Sequence, residues 1–303
     1  MTDLTSFPLV TIVIPTYNRK ELLQKAIASV LSQTYANWEL FIVDDESVDD
    51  TKTFVTSIKD TRIHLLNLDH TGNIAGLRNA GAASGSGVWI AFLDSDDEWI
   101  NDKLEKQLRL LLQEKKQWSY GGYELMNEAS QTIPDKYGRF SPISGWITPQ
   151  LLTCEAAVNI GSLMIHRTLF NKTGGFNSES RLLYREDYEL ALRLSLLAEG
   201  LAAPDLLVRI REHANRSTNT IDDGYQRTAF VYQHFLNSKP GDEYERIARR
   251  RMAYHLAEMS VDCMQRRMYL KAVSQLAKAF VNRDKLRHLF SAMYRGLGTG
   301  NKK

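Results

Sequence analysis

Three aspartates fall within four residues, Asp94, Asp96 and Asp97, directly after the apolar run 88–93 (VWIAFL). Carboxylates at this spacing beyond a strand end can converge on one hard divalent cation. Mg2+ or Mn2+ takes oxygen ligands, with phosphates and water completing the shell. A diphosphate leaving group needs such a counter-charge, because negative charge accumulates on its oxygens as its bond breaks. The competing reading is a solvated acidic loop ahead of the next helix. Asp44 and Asp45 close a second apolar run, 39–45 (ELFIVDD). A carboxylate there can accept from a base N–H or a ribose hydroxyl, or cap the helix that follows. Glu186 and Asp187 open a helical pattern, either as a general base for an attacking hydroxyl or as acids suited to a helix N-terminus. Arg78 and Asn79 lie on the helix before the Asp94 run, within reach of a diphosphate or on an open surface. His213, close to Arg209, Arg211 and Arg216, can complete a metal shell or bind phosphate, or simply sit in a basic loop.

The elements carrying these residues alternate in period. Residues 9–17 (LVTIVIPTY) form a β-branched apolar run, and 19–33 place Leu22, Leu23, Ala26, Ile27, Val30 and Leu31 on one helical face. Strands are expected at 39–45, 63–68 and 88–93, and helices at 49–58, 74–83 and from an Asn101 cap to about Lys115. Such alternation implies a parallel sheet with helices on both faces. Ligands bind such sheets outside the carboxyl ends of the strands. Three polar clusters fall at those ends: Pro15, Thr16, Tyr17 and Asn18; then Asp44 to Ser47; then Asp94 to Asp97. Together they outline one site. Farther along, strands are expected at 119–125, 159–166 and 206–210, a turn at 174–177 and a helix at 186–198. After Asp222 the pattern is three or four amphipathic helices, with breaks at 239–241, Arg267 and Arg283.

Composition narrows the function further. An apolar fraction of 43% suffices for a packed core, and a net charge of +2 argues against bulk polyanion binding and so against a nucleic-acid partner. The average conceals an asymmetry: from Tyr225 onward there are 16 Lys and Arg against 6 Asp and Glu, and before it 22 against 30. The two cysteines, Cys154 and Cys263, lie far apart, which suits free thiols in a reducing compartment. Neither a signal peptide nor an apolar run of about 18 residues is evident, so a cytoplasmic protein is expected. There is no Gly-x4-Gly-Lys-Ser/Thr loop, no Gly-x-Gly-x-x-Gly after the first strand and no Gly-x-Ser-x-Gly elbow.

The blocks 10–19 (VTIVIPTYNR), 41–47 (FIVDDES), 78–81 (RNAG) and 92–97 (FLDSDD), followed by 174–176 (GGF), 186–190 (EDYEL) and Arg193, resemble the family 2 glycosyltransferases of GT-A fold. The resemblance implies an α/β protein with a Rossmann-like, mostly parallel sheet flanked by helices, plus a C-terminal α-helical extension. It divides the chain into a transferase domain, 1–222, and a basic helical extension, 223–303. The domain itself splits into a nucleotide-sugar half, 1–118, and an acceptor half, 119–222. It implies an inverting, metal-dependent transfer from a nucleotide-sugar, usually a UDP-sugar, to a glycan or lipid-linked acceptor in cell-surface polysaccharide or lipopolysaccharide synthesis. Pro15, Tyr17 and Asp45 would line the base pocket beside Asn18 and Asp44. Arg78 and Asn79 would approach the nucleotide, and Asp94 and Asp96 the rest of the donor. Asp96 and Asp97, with His213, would hold Mn2+ or Mg2+. Asp187 resembles the family's catalytic base. Glu46 departs from the family, where Gly or Asn is usual, so the base pocket is expected to differ in shape.

Two other classes use the same sheet edge, a metal-dependent nucleotidyltransferase and a catalytically inactive nucleotide-sugar-binding scaffold. The basic helices suggest either peripheral contact with the inner face of the cell membrane or a cap or homodimer interface.

Overall fold

The computed structural model describes residues 8–137, 142–212 and 224–281. In chain order the elements are β1 (Val10–Thr16), α1 (Lys20–Leu31), β2 (Trp38–Asp44), α2 (Thr51–Ser57), β3 (Ile63–Asn67), α3 (Ile74–Ser84), β4 (Trp89–Phe92), β5 (Glu98–Trp99), α4 (Lys103–Glu114), β6 (Trp118–Met126), β7 (Thr132–Tyr137), α5 (Thr148–Thr153), β8 (Met164–His166), α6 (Arg167–Thr173), α7 (Glu186–Leu197), β9 (Leu201–Arg211), α8 (Gly224–Asn237), α9 (Asp242–Gln265) and α10 (Tyr269–Val281). They fall into two compact units. One is Met1–Ile147 with Glu155–Asn219, and the other is Thr148–Cys154 with Thr220–Lys303.

The first unit is a mixed α/β layer built on a nine-stranded sheet ordered β3-β2-β1-β4-β8-β6-β9-β5, with β7 pairing β6. β3, β2, β1 and β4 run parallel. β8 then runs antiparallel to both β4 and β6, and the short β5 is antiparallel to β9. The two faces of β1 explain the buried alternation of its sequence. Val10, Ile12 and Ile14 pack in one core with Leu23, Ala26, Ile27 and Val30 of α1. Burying each of the Val, Ile and Leu side chains contributes about 1.5–3 kcal/mol. Val13 faces the other way, toward α3, where Gly81 lets the helix lie close: a Cβ there would come within 2.5 Å of Val13 and 2.9 Å of Val43. β1 has β2 on one side and β4 on the other, so the chain leaves it in opposite directions and opens a crevice at its carboxyl end.

Several expectations are corrected locally. Asn101 does not cap α4; Asp102 occupies that position, without a side-chain capping bond, while the Asn101 carbonyl accepts from the backbone N–H of Thr34. Only 164–166 of the expected strand 159–166 pairs, because Asn159 caps a 3-10 turn at Ile160–Ser162 through the N–H of Gly161. The strand expected at 206–210 starts earlier, at Leu201. β5, β7, α5 and α6 were absent from the sequence reading.

The second unit is helical. α5 buries Leu151 and Leu152, and the Tyr232 hydroxyl donates to the Leu152 carbonyl at 3.1 Å. α9 and α10 share Met259, Cys263 and Ala272, and Ser260 donates to the Ala272 carbonyl at 2.8 Å. The breaks expected at 239–241 and Arg267 coincide with left-handed backbone at Lys239, Gly241 and Arg267, and the one expected at Arg283 lies outside the described residues. Both cysteines are free thiols. Among the described residues no helix is long and apolar enough to cross a membrane.

Candidate active site

The crevice holds a cavity of about 160 Å3 at the carboxyl ends of β1 and β4. Pro15, Arg78, Asp94, Asp96, Asp97 and Asp187 all line it, so residues spread over more than 170 positions of sequence meet at one place. The acidic turn follows β4, and the Asp97 N–H closes it on the Asp94 carbonyl at 3.1 Å. One carboxylate oxygen from each of Asp94, Asp96 and Asp97 lies within 4.8 Å of the others. Three hard oxygen donors at this separation suit a small divalent cation.

Cations of the protein itself hold the turn. Arg19 donates to Asp96 at 2.8 Å, and Arg78 to Asp94 at 2.6 Å. Arg78 reaches from α3, with its second Nη on Glu186 at 2.6 Å. At 2% exposure it is no surface position. Burial acts to lower its pKa, but Asp94 and Glu186 outweigh burial and hold it above the ordinary value. Its Nε and the Oε2 of Glu186 are buried with no hydrogen-bond partner among the described residues. Burial also raises the Asp94 carboxyl, against the pull of Arg78 and with help from Asp96.

Asp187 sits in the first turn of α7 and accepts from the N–H of Tyr188 at 2.7 Å. Its carboxyl is pushed up to about 6, first by burial and then by the neighbouring Glu186. A carboxylate tuned in this way is suited to proton transfer near neutrality. Tyr184, also on the cavity wall, has left-handed backbone at φ 65°. Arg185 steadies that conformation through a 2.8 Å bond to the Tyr184 carbonyl. Strained backbone of this kind clusters at functional sites.

The remaining sequence-predicted residues lie around this cavity rather than on its wall. Tyr17 is exposed and stacks on His70, with ring centroids 4.4 Å apart. Asp45 is buried and accepts from the N–H groups of Thr71 and Gly72 at 2.9 Å each, with His70 Nδ1 also at 2.9 Å. Asp44 binds the backbone and hydroxyl of Ser47. Asn18 accepts from the Val48 N–H at 2.8 Å, tying the end of β1 to the loop after β2. Asn79 faces away from the cavity, its amide both donating to and accepting from the Phe176 backbone at 2.8 Å. Glu46 has left-handed backbone, φ 64°, where the family's Gly or Asn is the easier fit. His213 lies outside the described residues. Arg19, His70 and Tyr184 were missed. Arg19 had a usable signal, since it directly follows the polar end of β1, whereas His70 and Tyr184 sit in loops with no periodic pattern.

The chain is similar to known proteins. Residues 11–174 match the family model described as Glycosyl transferase family 2, which spans the acidic turn and Arg78 but stops short of Asp187. The UDP-Glc:alpha-D-GlcNAc-diphosphoundecaprenol beta-1,3-glucosyltransferase WfgD of Escherichia coli is 38% identical over 61% of this chain and 69% of its own. The teichuronic acid biosynthesis glycosyltransferase TuaG of Bacillus subtilis (strain 168), itself described as putative, is 32% identical over 76% of this chain and 92% of its own. Among solved structures, S. aureus TarS 1-349 in complex with UDP-GlcNAc superposes with a TM-score of 0.67 at 15% identity, over 89% of this chain and 81% of that one. Against the longer TarS structure the match spans 43% of its length. At such identity the likeness is one of fold.

Proposed function

The chain belongs to glycosyl transferase family 2, and from that premise we propose that it transfers a hexose from a UDP-sugar, with inversion, to a lipid-linked glycan acceptor in cell-surface polysaccharide synthesis. The observation that carries this reading is one cavity lined by both the acidic turn, Asp94 to Asp97, and the raised carboxyl of Asp187. The activity named for WfgD, glucosyl transfer from UDP-Glc to a diphosphoundecaprenol-linked GlcNAc, supports the substrate class, and the name of TuaG supports the cell-surface polysaccharide setting.

In this reading Asp187 takes the proton from the acceptor hydroxyl as its oxygen attacks the anomeric carbon. The bond from that carbon to the diphosphate oxygen breaks in line, and UDP leaves. Asp96 and Asp97, beside Asp94, would hold a divalent cation. When bound, Mn2+ or Mg2+ supplies positive charge to the departing diphosphate. Arg19 and Arg78 add fixed positive charge on the same wall. Pro15 and the open face of Tyr17 receive the base. Asp45 holds the loop that carries His70 beneath that ring, and Asn18, Asp44 and Asn79 set the surrounding loops through backbone bonds.

Incubation with a panel of UDP-sugars, Mn2+ and a lipid-diphosphate acceptor tests the reading. Acceptor-dependent UDP release is expected. Pyrophosphate release would point to nucleotidyl transfer instead, and binding of no nucleotide-sugar by folded protein would overturn both.

The basic helical unit is proposed to rest on an anionic membrane surface. On α10, Leu270 and Val273 are exposed with Lys271, and Arg267 lies in the turn just before the helix, a mixture suited to an interface. Flotation with phosphatidylglycerol vesicles should drop on Leu270→Glu with Val273→Glu, and equal binding would reject the idea.

A further inference from the structure

Arg211 is the last residue of β9 and one of the largest fully buried side chains in the described protein. A guanidinium has five N–H donors in a fixed planar fork, and here all five are used. Nε donates to the carbonyl of Asp96 at 3.0 Å. Nη1 donates to the carbonyls of Asn127 and Glu128, at 2.9 Å each. Nη2 donates to the Ser130 hydroxyl at 3.0 Å and to the Glu98 carboxylate. The backbone N–H of Arg211 donates to Asp97 Oδ1 at 2.9 Å. One residue therefore grips the acidic turn at two successive aspartates, by the carbonyl of one and the carboxylate of the next. Its other bonds fix it to β5 and to the loop between β6 and β7.

Resting on the metal reading above, we infer that Arg211 is a positioning residue for the carboxylate cluster, and that the loop 127–130 is the abutment against which it holds Asp96 and Asp97. Side chains that orient metal ligands in this way typically set affinity by about 10- to 100-fold when replaced. Lysine keeps the charge opposite Glu98 but has three donors about one point. It cannot reach two carbonyls of the loop, a hydroxyl and the Asp96 carbonyl together. Arg211→Lys should therefore fold and yet hold the turn loosely.

The experiment measures Mn2+ binding to the full chain without nucleotide, by the paramagnetic resonance signal of free Mn2+. Arg211→Lys is expected to weaken binding about 10-fold or more while keeping a cooperative thermal transition. Leu111→Ala, in the α4 core away from the turn, should lower the melting temperature and leave Mn2+ binding unchanged. Folded Arg211→Lys with wild-type affinity overturns the assignment, as does equal weakening in Leu111→Ala. If Arg211→Lys does not fold, Ser130→Ala decides. It removes one acceptor of the fork, and unchanged Mn2+ affinity there rejects the abutment. Wild-type protein that binds no Mn2+ rejects the metal reading itself, which is a different result from binding that Arg211→Lys leaves intact.

Discussion

Asp187 combines two demands that pull against each other. Burial and Glu186 push its carboxyl up to about 6, which makes it a competent proton acceptor at neutral pH and a strained one. The sign follows from linkage: a carboxyl raised in the folded state favours folding while protonated, and this contribution is lost as pH rises through about 6. Turnover should therefore rise through the same range in which stability falls. Asp187→Asn should cut the turnover number by about 10^2–10^4-fold with donor binding retained in calorimetry. Its melting temperature at pH 7.5 should exceed that of wild type, and a near-normal rate would remove Asp187 from the base role. From spacing alone Asp187 was ambiguous, because acids in a first helical turn are common and the burial that does most to raise its pKa belongs to the fold. Arg78 was equally open, and burial between Asp94 and Glu186 is what removes the surface alternative.

At the scale of elements, the first four strands and their helices were legible because each satisfies its own period and is followed closely by polar residues. What escaped the sequence was short or irregular. β5 has two residues, and the turn at Ile160–Ser162 interrupts an apolar run that reads as strand. The Asn101 cap failed because two polar residues precede the helix and either fits the pattern. α3 makes the clearest prediction at this scale. Gly81→Ala places a methyl 2.5 Å from Val13 and 2.9 Å from Val43, so the helix must move off the sheet and carry Arg78 with it. Overpacking of this kind costs about 1–3 kcal/mol. Chemical denaturation should show that loss, with UDP-sugar affinity falling in parallel; a stable variant with normal affinity would mean that α3 is free to shift.

For the whole molecule, the charge asymmetry near Tyr225 is a property of the sequence, whereas the compact helical unit also takes Thr148–Cys154 from the middle of the chain. Six helical residues are too few to betray their partner in a linear pattern. Removing 223–303 should leave Leu151 and Leu152 of α5 without Tyr232 and α9. The truncated protein is expected to aggregate on size exclusion, and Leu151→Ser with Leu152→Ser should restore a monodisperse peak. A soluble truncation without those changes would show that α5 finds cover elsewhere.

That interleaving also has a consequence in time. During synthesis α5 leaves the ribosome well before Asp242, where α9 begins. At about 5–20 residues per second, its apolar face waits on the order of 10 s for its helical partners, while the strands of the sheet between them are still being made. The nascent chain thus carries a transient sticky segment whose exposure is set by translation speed, and slow codons after residue 155 would lengthen it.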